Sequence, residues 1–142
     1  MMNGRVVIPI HNEKGELIAY AGRWPGDPPE GEGKYKLPPK FQKSHVVFNL
    51  HRAIEANKGR EIKELILTEG YFDVFSFFEK GIKTAVALMG SSLSEEQERL
   101  ILETVGSEGK VLLAFDDDEA GHLCTEEVIK KLVKKVFVKS IL

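Results

Sequence analysis

The chain has 142 residues, 42% of them hydrophobic and 30% charged, enough apolar content for one compact unit with a real core and too much for a disordered chain. No apolar run approaches the roughly 18 residues of a membrane span, the opening MMNGRVVIPI lacks the regions of a signal peptide, and a single cysteine, Cys124, leaves no intramolecular disulfide and no cysteine zinc site, so a soluble cytoplasmic protein with no membrane partner is expected. The net charge of −2 conceals a segregation: residues 1–64 carry 11 Lys+Arg against 8 Asp+Glu, and residues 65–142 carry 9 against 14, a basic front and an acidic back.

The first predicted element is a β-hairpin, with strands over 5–10 and 16–21 joined by a polar turn ending in Gly15. A segment holding five of the six prolines follows, WPGDPPEGEGKYKLPPKFQKS, in which neither a helix nor a ladder persists. Loops of that length in compact domains are often functional. HVVFNL then reads as a short strand and HRAIEANKG as a short helix stopped by Gly59.

From Lys63 the pattern becomes a regular alternation of strand and helix. ELILTEG is an apolar strand, residues 71–80 an amphipathic helix closed by Gly81, and KTAVALMG a second buried strand. Ser94 and Gln97 form a capping box that starts a helix reaching about Val105. KVLLAF, a helix over 119–135 and KVFVKSI complete the series. Such alternation predicts βαβ units, a parallel sheet of about four strands and helices on both faces.

Ligands of open parallel sheets collect at the carboxyl ends of the strands. Glu69 follows the first of these strands, Gly90 and Ser91 the second, and Asp116, Asp117 and Asp118 the third. If strand geometry continues through the aspartates, Asp116 and Asp118 share a side about 6–7 Å apart and Asp117 points away. A divalent cation would relieve their repulsion, and an all-oxygen donor set suits Mg²⁺ or Mn²⁺ rather than zinc. The competing reading makes Asp118 the N-cap of the next helix. The aromatic residues Tyr71, Phe72, Phe75, Phe77 and Phe78 are read as core. His11, His45, His51 and His122 show no metal-ligand spacing.

LILTEGYFDVFSF, AVALMGSSLSEEQ and LLAFDDDEAG, in this order and spacing, closely resemble the Toprim domain. The upstream GRVVIPIHNEKGELIAYAGR and KYKLPPKFQKSHVVFNLHRA resemble the RNA-polymerase core of bacterial-type DNA primases. The resemblance implies an α/β Toprim fold, Rossmann-like, over 63–142, preceded by a small N-terminal hairpin subdomain with its basic loop over 1–62. It makes Glu69 the Toprim glutamate, active in proton transfer or metal binding, Asp116 and Asp118 the metal ligands, and Asp73 a supporting acid. It places Arg23, Lys34 and Lys43 on the surface that guides single-stranded DNA or nucleotide phosphates, with Trp24, Tyr35 and Phe41 as candidate base-stacking side chains beside them. Gly70 and Gly90, lacking a Cβ, would permit close backbone approach at the strand ends. The implied activity is Mg²⁺- or Mn²⁺-dependent primer synthesis from ribonucleoside triphosphates on single-stranded DNA during replication. A non-catalytic nucleic-acid-binding module and a Toprim nuclease are the alternatives. The family pattern also has zinc-binding, further core and helicase-interacting segments, and another acidic motif after VFVKSIL, so the expectation is a fragment of a longer primase or a small Toprim protein working with partner domains.

Overall fold

The computed structural model describes residues 3–141. β1 (Val6–His11) and β2 (Leu17–Arg23) form the antiparallel hairpin, and a two-residue β3 (Tyr35–Lys36) adds to the β2 edge. The turn between β1 and β2 is built by Asn12, whose Oδ1 accepts from the N–H groups of Lys14 and Glu16, while Gly15 takes the positive φ of 85° that the reversal requires. The proline-rich loop is thus not wholly irregular: besides β3 it holds a short 3₁₀ turn at Lys43–His45.

The predicted strand over HVVFNL is a correction. Its residues Val46, Val47 and Phe48 are buried, yet only Phe48 pairs, in a single antiparallel bridge to Ala87. Asn49 ends the extended run by adopting a left-handed conformation (φ 71°), fixed by its side-chain Nδ2 donating to the Ala85 carbonyl, and α1 (Leu50–Ala56) begins at once.

The remaining elements are β4 (Glu64–Thr68), α2 (Tyr71–Glu79), β5 (Ala85–Ala87), α3 (Glu95–Val105), β6 (Lys110–Leu113), α4 (Glu119–Leu132) and β7 (Phe137–Ser140). The four strands are parallel in the order β5-β4-β6-β7, so the chain reverses its direction of travel across the sheet at β4. That order puts the ends of β4, β5 and β6 side by side.

Strand alternation divides the core. Leu65 and Leu67 of β4 pack with Leu50 and Ala53 of α1, Leu100, Ile101 and Val105 of α3 and Cys124, Val128 and Leu132 of α4. Ile66, on the other face, packs with Ala85, Ala114 and Phe77 of α2. A third cluster joins the lobes: Ile8, Ile10, Ala19 and Ala21 of the hairpin lie against Val46, Phe48, Tyr71, Val74, Ala87 and Met89. The hairpin is therefore fixed over the start of α2 and the end of β5 by apolar burial, which sets the distance between the basic and acidic segments.

Candidate functional site

A cleft of about 500 Å³ lies where the lobes meet. One wall carries Glu69, Gly70, Asp73 and Asp116; the other carries Arg23, Tyr35 and Lys43; Phe72 and Met89 also line it. Of the residues singled out in the sequence, Arg23, Lys43, Glu69, Gly70, Asp73, Gly90 and Asp116 thus come together, although more than ninety positions separate the first from the last. Lys34 and Asp118 do not line this cleft. Lys34 is exposed beside it, one residue before Tyr35, with its carbonyl accepting from Trp24 N–H at 3.1 Å.

Glu69 sits just past β4, and its Oε1 accepts the Asp116 backbone N–H at 2.9 Å, a direct tie between the β4 and β6 ends. The β5 end is tied to the same place: Leu88 N–H donates to the Thr68 carbonyl and Met89 N–H to that of Glu69. Asp73, in the first turn of α2, turns back to accept from Gly70 N–H at 3.2 Å and benefits from the helix N-terminus.

The aspartates do not continue the pleat. β6 stops at Leu113, Asp118 caps α4 by accepting from Gly121 N–H at 2.7 Å, and Asp117 bonds His122 Nε2 at 2.7 Å in a solvent-exposed pair. The strand-based spacing of Asp116 and Asp118 is replaced by the geometry of a helix cap. Asp118 is still close enough to bear on both other acids. Burial, then the charges of Asp116, Asp118 and Asp73, push the Glu69 carboxyl above its usual range, while the hydrogen bond from Asp116 N–H pulls the other way. Burial, then Asp73 and Asp118, push Asp116 up as well.

That mutual repulsion tests the site for a divalent cation. The donors are hard carboxylate oxygens, suited to Mg²⁺ or Mn²⁺, and their shared charge is what such an ion would relieve. Among the described residues no group of three His, Cys, Asp or Glu closes around one point. Mg²⁺ keeps several waters and takes one or two carboxylates besides phosphate oxygens, so an open acidic wall fits it better than a closed cage.

The stacking candidates are sorted by burial. Trp24 is wedged between Arg5, 5.0 Å above its ring, and Gly4, and Phe41 packs against the hairpin core; both serve the lobe itself. Tyr35 is 43% exposed in the cleft. Phe72, read as core, is 42% exposed and lines the cleft, and Phe78 is 54% exposed; Tyr71 alone of that aromatic run is fully buried. α2 buries one face, and Phe72 falls on the side turned to the opposite lobe, a placement that an all-aromatic helix hides from periodicity.

Neither Gly70 nor Gly90 adopts a positive φ, and a Cβ on either would meet Asp73 Oδ2 at 3.6 Å or Lys43 Nζ at 3.5 Å, ordinary contacts. The backbone exception is Met89, with φ 62°, strain stored at the cleft floor. Two supporting residues escaped the sequence. Gln97, 2% exposed, donates from Nε2 to the carbonyls of Val46 at 3.0 Å, Leu88 at 3.1 Å and Lys43 at 3.3 Å, while its Oε1 completes the capping box with Ser94. It therefore holds the Lys43 turn against the β5 end. Gly121 lets the first turn of α4 lie on the Asp116 backbone, since a Cβ there would fall 1.8 Å from the Asp116 carbonyl oxygen. A polar residue inside a capping box gives no hint of a second role; a glycine in a helix's first turn is a signal that could have been used.

Comparison with known proteins agrees with this architecture. Residues 66–142 match the Toprim-like family model and residues 1–54 that of the N-terminal domain of the DNA primase catalytic core. The DNA primase of Thermotoga maritima is 37% identical over 137 residues, covering 94% of this chain and 23% of that protein. The Pseudomonas aeruginosa DNA primase is 35% identical over 118 residues, 83% of this chain and 17% of its own length, so the chain spans about a fifth of such relatives. Among solved structures, the zinc-binding and RNA polymerase domains of the Aquifex aeolicus primase superpose with a TM-score of 0.83 at 31% identity, covering 99% of this chain and 34% of that one. A DnaG primase catalytic domain bound to ssDNA gives 0.78 at 26% identity, covering 98% and 44%. The four-stranded parallel sheet with its small antiparallel companion is the Toprim arrangement of these cores, and the chain belongs to the Toprim-like family, in the line of bacterial DNA primase catalytic cores.

Proposed function

We propose that this chain is a primase-type nucleotidyl-transfer core that joins ribonucleotides on single-stranded DNA in the cytoplasm. The observation that carries the reading is the two-walled cleft: Glu69, Asp73 and Asp116 face Arg23 and Lys43 across one cavity at the strand ends. A primer terminus and a nucleoside triphosphate require both signs at once, cations for phosphate oxygens and carboxylates for the divalent ions that accompany them.

Glu69 and Asp116 would hold Mg²⁺ or Mn²⁺, with Asp118 and Asp73 adding charge; when bound, the ions acidify a primer hydroxyl and neutralise the leaving pyrophosphate. Glu69, whose carboxyl is raised by burial and by its acidic neighbours, would be the group to take a proton from that hydroxyl. Arg23 and Lys43 orient the phosphates, and exposed Lys34 extends the basic surface toward the template strand. The role of the protein is mainly placement and charge. Zinc-binding and helicase-interacting partners belong to the same reading.

The test incubates the chain with a single-stranded template, labelled ribonucleotides and Mg²⁺ or Mn²⁺, beside Asp116→Asn. Template-dependent extension that the variant loses is the expected result. Shortened strands would transfer the site to hydrolysis, and salt-sensitive binding without extension would refute synthesis by this chain.

A further inference from the structure

The cleft wall holds an aromatic side chain that the acidic and basic residues leave unexplained. Phe72 exposes 42% of its surface to solvent within a few residues of Glu69. It is buttressed from behind: its ring meets Phe75 edge-on at 5.4 Å, and Phe75 meets Phe48 edge-on at 6.1 Å. Tyr35, the other exposed ring, is backed by Tyr71 at 5.5 Å, and Tyr71 meets Phe48 edge-on at 4.8 Å. Two exposed rings therefore rest on one buried phenylalanine.

The Arg23 guanidinium lies with these rings. Its Cζ is 4.4 Å from the Phe72 centroid and 5.8 Å from that of Tyr35. Nε donates to Tyr35 Oη at 3.2 Å and Nη1 to the Trp24 carbonyl at 3.3 Å. Guanidinium has five donors. Those on Nη2 have no hydrogen-bond partner among the described residues, and no carboxylate there pairs with Arg23, although acids line the same cleft. A flexible side chain is held by a ring face and two hydrogen bonds while part of its fork is left open.

We propose that Phe72, with Tyr35, is a positioning residue that clamps the Arg23 guanidinium so that its open N–H groups meet a phosphate oxygen of a ligand in the cleft. The stacking face fixes the plane of the fork, and planar bidentate recognition of phosphate depends on that plane. The clamp rests on the nucleotidyl-transfer reading, because it presupposes a phosphate-bearing ligand: a nucleoside triphosphate or a strand backbone.

The experiment measures equilibrium binding of inorganic tripolyphosphate, GTP and an oligo-dT strand to the full chain, each with Mg²⁺. The proteins are wild type, Phe72→Leu, Phe72→Met, Phe72→Tyr, Arg23→Gln and the Arg23→Gln, Phe72→Leu double variant. Loss of a cation–π contact at a partly desolvated site weakens binding about five-fold. Phe72→Leu and Phe72→Met are expected to lose that factor for tripolyphosphate and GTP alike, Phe72→Tyr to regain it, and Phe72→Leu to change nothing once Arg23 is Gln. A loss confined to oligo-dT would put the phosphate on a strand, one confined to the triphosphates on an incoming nucleotide, and either supports the clamp. Weakened GTP binding with intact tripolyphosphate binding would overturn it, making Phe72 a base platform. So would a Phe72→Leu effect that persists without Arg23. Wild type binding all three probes no better than Arg23→Gln would remove both the clamp and the reading beneath it, whereas wild-type binding indifferent to Phe72 removes the clamp alone.

Discussion

Gly121→Ala separates two lines of physical reasoning because they predict opposite signs. By local propensity the change should stabilise: alanine is better than glycine in a helix by about 1 kcal/mol, and it lowers the entropy of the unfolded chain. The packing says otherwise. An alanine Cβ would stand 1.8 Å from the Asp116 carbonyl oxygen, 2.7 Å from its carbon and 3.0 Å from its nitrogen. Ordinary contact begins near 3.4 Å, so backbone must move by about 1.6 Å, the difference between 3.4 and 1.8 Å, and no flexible side-chain end is available to absorb it. Overpacking of this kind costs about 1–3 kcal/mol, and the Asp118 cap on Gly121 N–H is strained with it. The net expectation is a loss of about 2 kcal/mol, or about 5 °C in Tm for a chain of this size. The same shift moves Asp116 and with it the acidic wall, so the rise in Tm with Mn²⁺ that the proposed metal site predicts for the wild type should shrink or vanish. Thermal unfolding with and without Mn²⁺ reads both effects. A variant that melts at or above the wild-type temperature and keeps the Mn²⁺ response would refute the argument.

Gln97→Leu removes a buried amide whose Nε2 serves the Val46, Leu88 and Lys43 carbonyls; leaving them unpaired should cost about 2–4 kcal/mol, read as a lower urea midpoint at unchanged m, and a loss below about 1 kcal/mol would show that water takes its place. Glu69→Gln should raise the melting temperature of the metal-free protein. The Glu69 carboxyl is pushed up by burial and then by Asp116, Asp118 and Asp73, so its ionised form opposes folding above the raised value, and the amide removes that penalty while abolishing Mn²⁺ stabilisation. A metal-free variant less stable than wild type at pH 8 contradicts this sign. His51, stacked on His11 with ring centroids 4.5 Å apart and with a buried, unpartnered Nδ1, is pushed below its ordinary 6.5 by burial, then by His11 and Arg52, with Glu55 opposing. Its contribution to stability is full above pH 6.5 and is lost as pH falls through the depressed value; stability measured against pH should lose that slope in His51→Gln.

The alternation of strands and helices after Lys63 was legible because each element has one dominant period and clear stops, and the Ser94–Gln97 capping box placed the start of α3 to the residue. HVVFNL was not, since a six-residue apolar run is strand-like whether it pairs along its length or, as here, only at Phe48. The approach of Arg23 and Lys43 to Glu69 was unreadable in the sequence, where the family resemblance placed both only on a phosphate-guiding basic surface. It depends on Ile8, Ile10, Ala19 and Ala21 burying against Tyr71, Val74 and Met89, a long-range contact that no local period encodes. Phe72 was misread for a related reason: in YFDVFSFF nearly every helical face is apolar, so the pattern cannot say which ring looks outward.

The segregation of charge along the chain acquires its meaning in the cleft. A sequence tuned only for stability would let Lys43 or Arg23 pair with Glu69, Asp73 or Asp116, since all line one cavity. Instead, among the described residues, the ion pairs lie elsewhere: Arg5 with Glu32, Arg99 with Glu96 and Glu103, His122 with Asp117, Lys131 with Glu127 and Lys135 with Glu98. Burial first, and then the neighbouring acids, meanwhile raise both carboxyls: Asp116, Asp118 and Asp73 act on Glu69, and Asp73 and Asp118 on Asp116. Charges held near one another yet unpaired are costly to the folded state and persist where something else completes them. A ligand of one sign would satisfy one wall and aggravate the other. On the proposed reading, a phosphate chain carrying its own divalent cations is complementary to both, with anionic oxygens toward Arg23 and Lys43 and metal toward Glu69 and Asp116, so the complex would satisfy both walls where either component satisfies one.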